Sequence, residues 1–231
     1  MAPRQGHFDA MLRVFGYVKQ NPDGCIIIDP SIPAPTITLP EQHNWTKWYP
    51  DAREEMPPDM PIPKRPPATT MCYVDADHAH DVITRRSVTE VLLFVNNMPI
   101  KWYSRRQSTV ETSTYGSELV ASRIAVELVI ELRYKLRMLR IPLSGPTLLK
   151  GDNMSVVLNT SISSSQLKKK HNAIAYHIVR EAIAANIIQF SHIPSTANYA
   201  DCLTKPLPGS QFLRTVQPVL FRARENHQPY P

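Results

Sequence analysis

Prolines crowd the stretch from Gln20 to Thr70, running from Pro22 through Pro35 and Pro50 to the pair Pro66-Pro67, and nothing else limits the fold of this chain as sharply. Each proline removes a backbone donor, fixes φ and biases the residue before it away from helix. No regular element can run far there. The stretch reads as an extended connector with one short strand, Cys25 to Ile28. Before it, His7 to Val18 (HFDAMLRVFGYV) has helical periodicity, with Met11, Leu12, Phe15 and Val18 near one face. One such helix needs a neighbour to cover that face. The tail from Pro206 carries Pro206, Pro208, Pro218, Pro229 and Pro231 and is expected to be loosely ordered.

Between these regions the texture changes. MCYVD is a β-prone run, and SVTEVLLFVNN and PIKWYSRR read as two more strands joined by a turn at Asn96-Asn97-Met98-Pro99. Thr112 to Arg140 is the longest helical pattern. Thr112, Ser113 or Thr114 can cap it, and Val120, Ile124, Leu128, Leu132, Leu136 and Leu139 mark an apolar stripe. TLLKGD is a fourth strand, NMSVVLNTS a short helix, HNAIAYHIVREAIAAN a second long helix, IIQFSHI a fifth strand and NYADCLTK a last helical turn or two. Hairpin strands followed by alternating helix and strand predict an α/β fold, a mixed sheet with helices on its faces.

Composition narrows the partners. With 42% hydrophobic and 20% charged residues the chain is an ordinary globular protein, and its net charge of +6 favours a polyanion through counterion release. No apolar run is long enough to cross a membrane, and MAPRQGHFDAML lacks the pattern of a secretory signal. Cys25, Cys72 and Cys202 are widely spaced, which suggests buried thiols in a reducing compartment.

Four acids stand at the ends of apolar elements. Asp75 ends Cys72-Tyr73-Val74, Asp152 follows Leu148-Leu149, Glu118 lies in the first turns of the long helix and Asp201 in the first turn of the last one. Any one of them alone is more often a cap or a helix-dipole partner than a catalyst. Several meeting at one sheet edge would require a metal or a basic partner, because a buried carboxylate is costly. Hard divalent ions such as Mg²⁺ take oxygen ligands, and a two-ion site can activate water and stabilise an oxygen leaving phosphorus. The sequence leaves convergence open.

From Tyr73 to Leu207, YVDADHA, TRRSVT, PIKWYSRRQSTV, TSTYGSELVA, GDNMSVV, KKKHNAIAYHIVRE and ADCLTKPL follow one another in an order that resembles the ribonuclease H domain of copia-type retrotransposon polyproteins. The resemblance implies a ribonuclease H-like fold, a five-stranded mixed sheet flanked by helices. It implies a metal-dependent endonuclease that cuts the RNA strand of RNA–DNA hybrids, with two Mg²⁺ (Mn²⁺ able to substitute) held by Asp75, Glu118, Asp152 and Asp201. Asp77 is a secondary candidate. Many relatives carry E-A-E-Y where this chain reads Gly116-Ser117-Glu118-Leu119, so only the second acid is kept. His192, ahead of Asp201, stands where cellular relatives place a mobile histidine and is a further catalytic candidate.

The N-terminal HFDAMLRVFGYVKQNPDGCIIID resembles the end of the preceding reverse transcriptase, without its tyrosine–acid–acid motif, so no polymerase activity is expected. The implied organisation is a reverse-transcriptase remnant over 1–30, a connector over 31–70, the ribonuclease H-like domain over 71–207 and a flexible tail over 208–231. The implied partners are RNA–DNA hybrid and the rest of the Pol polyprotein, including reverse transcriptase and integrase. No membrane and no small-molecule cofactor are expected. The implied location is the cytoplasm or a virus-like particle, with the nucleus as the alternative.

Lys168, Lys169 and Lys170, and Arg105 and Arg106 after Trp102 and Tyr103, are candidate substrate contacts, together with Asn153 beside Asp152. Trp102 is expected in the core. His78 and His80 read as a polar loop, and His171 and His177 fall on different helix faces, which argues against a shared zinc. The competing readings are a transposon relic that binds nucleic acid without cutting it, an inactive structural module of the same fold, and an integrase- or resolvase-type nuclease.

Overall fold

A computed structural model describes residues 4–22, 24–26, 28–33, 43–167, 170–203, 205 and 207–220. Along the chain run α1 (Gln5–Gln20), β1 (Thr70–Asp77), β2 (Val88–Val95), β3 (Met98–Arg106), α2 (Thr114–Met138), β4 (Thr147–Gly151), α3 (Met154–Ser161), α4 (Ala173–Ala184), β5 (Ile188–His192) and α5 (Gly209–Leu220), with 3₁₀ turns at Lys170–Asn172, Ser195–Ala197 and Tyr199–Leu203. The strands form one sheet in the order β3-β2-β1-β4-β5. β1, β2 and β3 pair antiparallel, while β4 and β5 lie parallel to β1. This is the five-stranded mixed sheet flanked by helices that the resemblance implies.

Both faces of the central strands are covered, which is why β1 and β2 read as nearly unbroken apolar runs rather than alternating ones. On one face Cys72, Val74, Val91, Leu93, Leu149, Ile188 and Phe190 pack against Leu119, Val126 and Val129 of α2 and Tyr176 and Val179 of α4. On the other, Tyr73, Leu92 and Phe94 meet Ile193 and Ala200, with Tyr199 and Val219 alongside.

The buried side of α2 differs from the expected stripe. Leu119, Ser122, Ala125, Val126, Val129 and Leu136 are buried, whereas Val120, Ile124, Leu128 and Leu132 are only half-buried and Leu139 is exposed. Small residues at Ala121, Ser122 and Ala125 let the helix axis approach the sheet, so the bulkier leucines are turned to its flank, where Leu128 and Leu132 still touch the core. Ser113 caps α2, its hydroxyl accepting from the Gly116 amide.

Other expectations change too. Cys25, Ile26 and Ile28 take no regular structure, because no strand among the described residues pairs with them, and residue 27 lies outside those residues. The β2–β3 turn uses only Asn96 and Asn97, with Asn96 at φ 55, so Met98 and Pro99 already belong to β3. Trp102 is 60% exposed rather than in the core, since β3 is an edge strand. Of the tail expected to be flexible over 208–231, Gly209–Leu220 forms α5, with Val216 buried, and 221–231 lie outside the described residues. Phe212 of α5 meets Tyr17 of α1 edge-on, although α1 itself buries no residue.

Residues 34–42 of the connector lie outside the described residues; over 43–69 it holds only turns and extended backbone, as its prolines require, but it is docked. Glu54 accepts hydrogen bonds from Arg133 and Arg137 of α2, and Lys64 and Ala68 pair with the backbone at Arg140 and Pro142. Tyr49 hydrogen-bonds to His177 at 2.7 Å, and the Arg180 guanidinium lies 4.7 Å from the Trp45 ring centre. His177 is therefore a docking residue for the connector.

Candidate active site

Three different elements bring carboxylates to Asp75. The parallel pairing of β4 with β1 sets Gly151 at the end of β4, so that Asp152 emerges near β1. Gly151 packs closely here, since a Cβ there would lie 3.1 Å from the Phe190 ring and 3.5 Å from Val74. Glu118 enters from the first turns of α2, which the Ser113 cap fixes. Ligand oxygens of Asp75, Glu118 and Asp152 lie within 4.8 Å of one another.

Asp201 arrives on the 3₁₀ turn Tyr199–Leu203. That turn is held by Asn198, whose side-chain amide donates to the Val74 carbonyl at 3.1 Å while its oxygen accepts from the Ala200 amide. Asp75, Glu90 and Asp201 form a second group within the same 4.8 Å limit, so Asp75 is common to both. All four acids expected from the sequence are thus brought together, and a fifth, Glu90, joins them. The Lys205 ammonium donates to Asp75 and, at 2.9 Å, to Asp201.

The electrostatics follow from five carboxylates facing one ammonium. Burial raises the Glu118 carboxyl well above the ordinary range, and the charges of Asp75 and Asp152 add to that. Burial also pushes Glu90 up to about 9, with Asp75 contributing, and Asp201 up to about 6 against the lowering pull of Lys205. Burial works against the Lys205 ammonium, but Asp75 and Asp201 more than offset it and keep it protonated. An all-oxygen set of this charge fits hard divalent cations, and Lys205 shows that a cation is already stabilised between two of its members.

The remaining candidates are dispersed. His192 Nε2 lies 3.1 Å from the Asp152 carbonyl oxygen and is exposed, which places it beside the cluster. Asn153 caps α3, its oxygen accepting from the Val156 amide at 3.2 Å. Because β1 continues past Asp75, Asp77 shares its face, but Asp77 pairs with His80 at 2.5 Å and is in neither carboxylate group. Arg105 and Arg106 are exposed at the end of β3, where Arg106 pairs with Asp81 and Arg105 lies 5.6 Å from the Tyr103 ring centre. Lys170 is exposed at the start of a 3₁₀ turn, and Lys168 and Lys169 lie outside the described residues.

The chain is similar to retrotransposon Pol polyproteins. It is 29% identical over 140 residues to the retrovirus-related Pol polyprotein from transposon TNT 1-94 of Nicotiana tabacum, covering 61% of this chain and 10% of that protein. With the Pol polyprotein from transposon RE2 of Arabidopsis thaliana it shares 29% identity over 138 residues, covering 58% of this chain and 9% of the relative. The chain spans about a tenth of the length of these curated relatives. No family model matches it. Among solved structures, the N-terminal RNase H domain of a Mycobacterium tuberculosis protein aligns with 65% of this chain and 97% of its own at 11% identity, with a TM-score of 0.46.

Glu90 and Lys205 join the cluster without being marked by any sequence motif. The signal for Glu90 is a lone acid inside the run VTEVLLFV, where every residue but the last is buried. Lys205 stands in ADCLTKPL, four residues after Asp201, a spacing that suits a local ion pair.

Proposed function

We propose that this domain is a divalent-metal-dependent ribonuclease H that hydrolyses the RNA strand of RNA–DNA hybrids, as part of a retrotransposon Pol polyprotein. The observation that carries the reading is the convergence of Asp75, Glu118, Asp152 and Asp201, from four separate elements, into two groups sharing Asp75. Those four would hold two Mg²⁺ ions, with Mn²⁺ able to substitute. When bound, such ions supply the charge that activates a water and stabilises the oxygen leaving phosphorus.

The chain's own residues do the rest. Asp75, on the central strand of the sheet and 1% exposed, is shared by both groups and so links them. Glu118 and Asp152 are half-buried and form the side open to a phosphate. His192, exposed next to Asp152, is positioned to take or return a proton at its imidazole during product release. Lys168, Lys169, Lys170, Arg105 and Arg106 are assigned to the phosphate backbones, where each contact adds salt-sensitive affinity. Asn153 and the sheet edge are assigned to the RNA strand, which is told from DNA by its 2′-hydroxyls.

The test is cleavage of an end-labelled RNA–DNA hybrid by the full chain in Mg²⁺. Asp152→Asn is expected to cut at least about a hundredfold more slowly, a larger loss than removing an outer-shell partner causes. Equal cutting by both proteins, or cutting that survives a chelator, refutes the proposal.

A further inference from the structure

Glu90 has no role in the four-acid scheme, yet its placement is specific. The antiparallel register sets it directly opposite Asp75, so both side chains leave the same face of the sheet. It is fully buried, and neither of its carboxyl oxygens has a hydrogen-bond partner among the described residues. A buried polar group left unpaired costs on the order of 1–3 kcal/mol, and a charged one more. The neighbouring positions of β2 are Val91, Leu92 and Leu93, so an apolar residue would fit the local pattern.

Its oxygens lie within 4.8 Å of those of Asp75 and Asp201. Two oxygens on one divalent ion, each bonded at about 2.0–2.6 Å, can be at most about 5 Å apart. Lys205 sits at the same place. Its ammonium bridges Asp75 and Asp201 but makes no ion pair with Glu90 among the described residues, and its side chain is 30% exposed while the two carboxylates it joins are buried. Lys205 follows Asp201 by one helical turn, on a long side chain that can swing outward to solvent.

We propose that Glu90 is a fifth ligand, closing a cation site with Asp75 and Asp201 that the Lys205 ammonium occupies as a tethered competitor of the metal. The inference rests on the metal-dependent reading above and adds to it an asymmetry. Lys205 touches the group of Asp75, Glu118 and Asp152 through Asp75 alone, whereas it bridges two members of the group of Asp75, Glu90 and Asp201, which fills only when Lys205 leaves. Binding at the second site is therefore weakened by the free energy of the Lys205 ion pairs.

The experiment measures Mn²⁺ binding to the full chain by paramagnetic resonance of the free ion, without substrate. Wild type is expected to show a tighter and a weaker site. Glu90→Gln is expected to weaken the weaker site at least about tenfold, the scale seen when ligand shells are altered, and to leave the tighter one within about threefold. Lys205→Met is expected to tighten the weaker site by about tenfold or more, in keeping with loss of a competing ammonium. Glu90→Leu, which suits the apolar strand, should repeat the Glu90→Gln result and serves if that variant does not fold. Unchanged binding in the Glu90 variants overturns the ligand assignment, and unchanged or weaker binding in Lys205→Met overturns the competitor. A wild-type chain that binds no Mn²⁺ refutes the proposed function as well, whereas normal wild-type binding with unaltered variants refutes this inference alone.

Discussion

Replacing Glu54 by alanine should destabilise the fold although Glu54 lies in the proline-rich connector, far in sequence from the sheet. Glu54 receives two hydrogen bonds from Arg133, at 2.7 and 2.8 Å, and two from Arg137, both at 2.6 Å. Side-chain exposure is 13% for Glu54, 4% for Arg133 and 10% for Arg137, so the cluster is nearly dry. Burial alone would raise the Glu54 carboxyl, but the bonds from Arg133 and then Arg137 outweigh it and bring it from 4.5 down to about 2. That difference corresponds to roughly 3 kcal/mol at neutral pH, and partial solvent contact reduces it to roughly 2.

Removing the carboxylate also strands Arg133, which among the described residues keeps its bonds to the Gly145 carbonyl and the Thr147 hydroxyl. Breaking one side of a buried pair costs about 3–5 kcal/mol, so Glu54→Ala is expected to lose about 3 kcal/mol and Glu54→Gln about 2. The assay is urea unfolding at pH 7, followed by far-ultraviolet circular dichroism. Because the folded-state carboxyl is depressed, its contribution is complete above about pH 4.5 and is lost as pH falls from there through about 2. The difference between wild type and Glu54→Gln should therefore shrink across that window. A Glu54→Ala protein within about 0.5 kcal/mol of wild type at pH 7, the range of ordinary surface changes, would refute the docking of the connector.

Three further outcomes are expected. Arg180→Met removes bonds to the carbonyls of Asn159, Ile162 and Ser163 and the stacking against Trp45 and Tyr176, and should cost about 3 kcal/mol in the same assay. Gly151→Ala sets a methyl against Phe190 and should cost about 1–3 kcal/mol and slow hybrid cleavage, with Phe190→Leu restoring part of both. Trp102→Ala, at an exposed edge position, should change unfolding free energy by less than about 0.5 kcal/mol.

Local pattern was enough to place the strands, α2 to α4 and the short turn bearing Asp201, because each apolar run or helical period is complete within its own segment. The four acids were legible for the same reason, as polar residues at the ends of apolar elements in a recognisable order. Their meeting was not. It depends on the parallel pairing of β4 with β1 and on the start of α2 reaching Asp75, which no single segment encodes. The inward face of α2 was misread because hydrophobicity favours its leucines, whereas close packing on a sheet favours Ala121, Ser122 and Ala125.

The sequence by itself determined a proline-bounded α/β domain, a basic chain and four well-placed acids. Only the tertiary structure decided that Glu90 stands opposite Asp75, that Lys205 neutralises part of the cluster, and that the connector and α5 pack onto the domain. The physical reason is that periodicity fixes which side of an element is apolar. Strand register and long-range ion pairs fix which charges end up facing one another, and these are settled only when the elements pack.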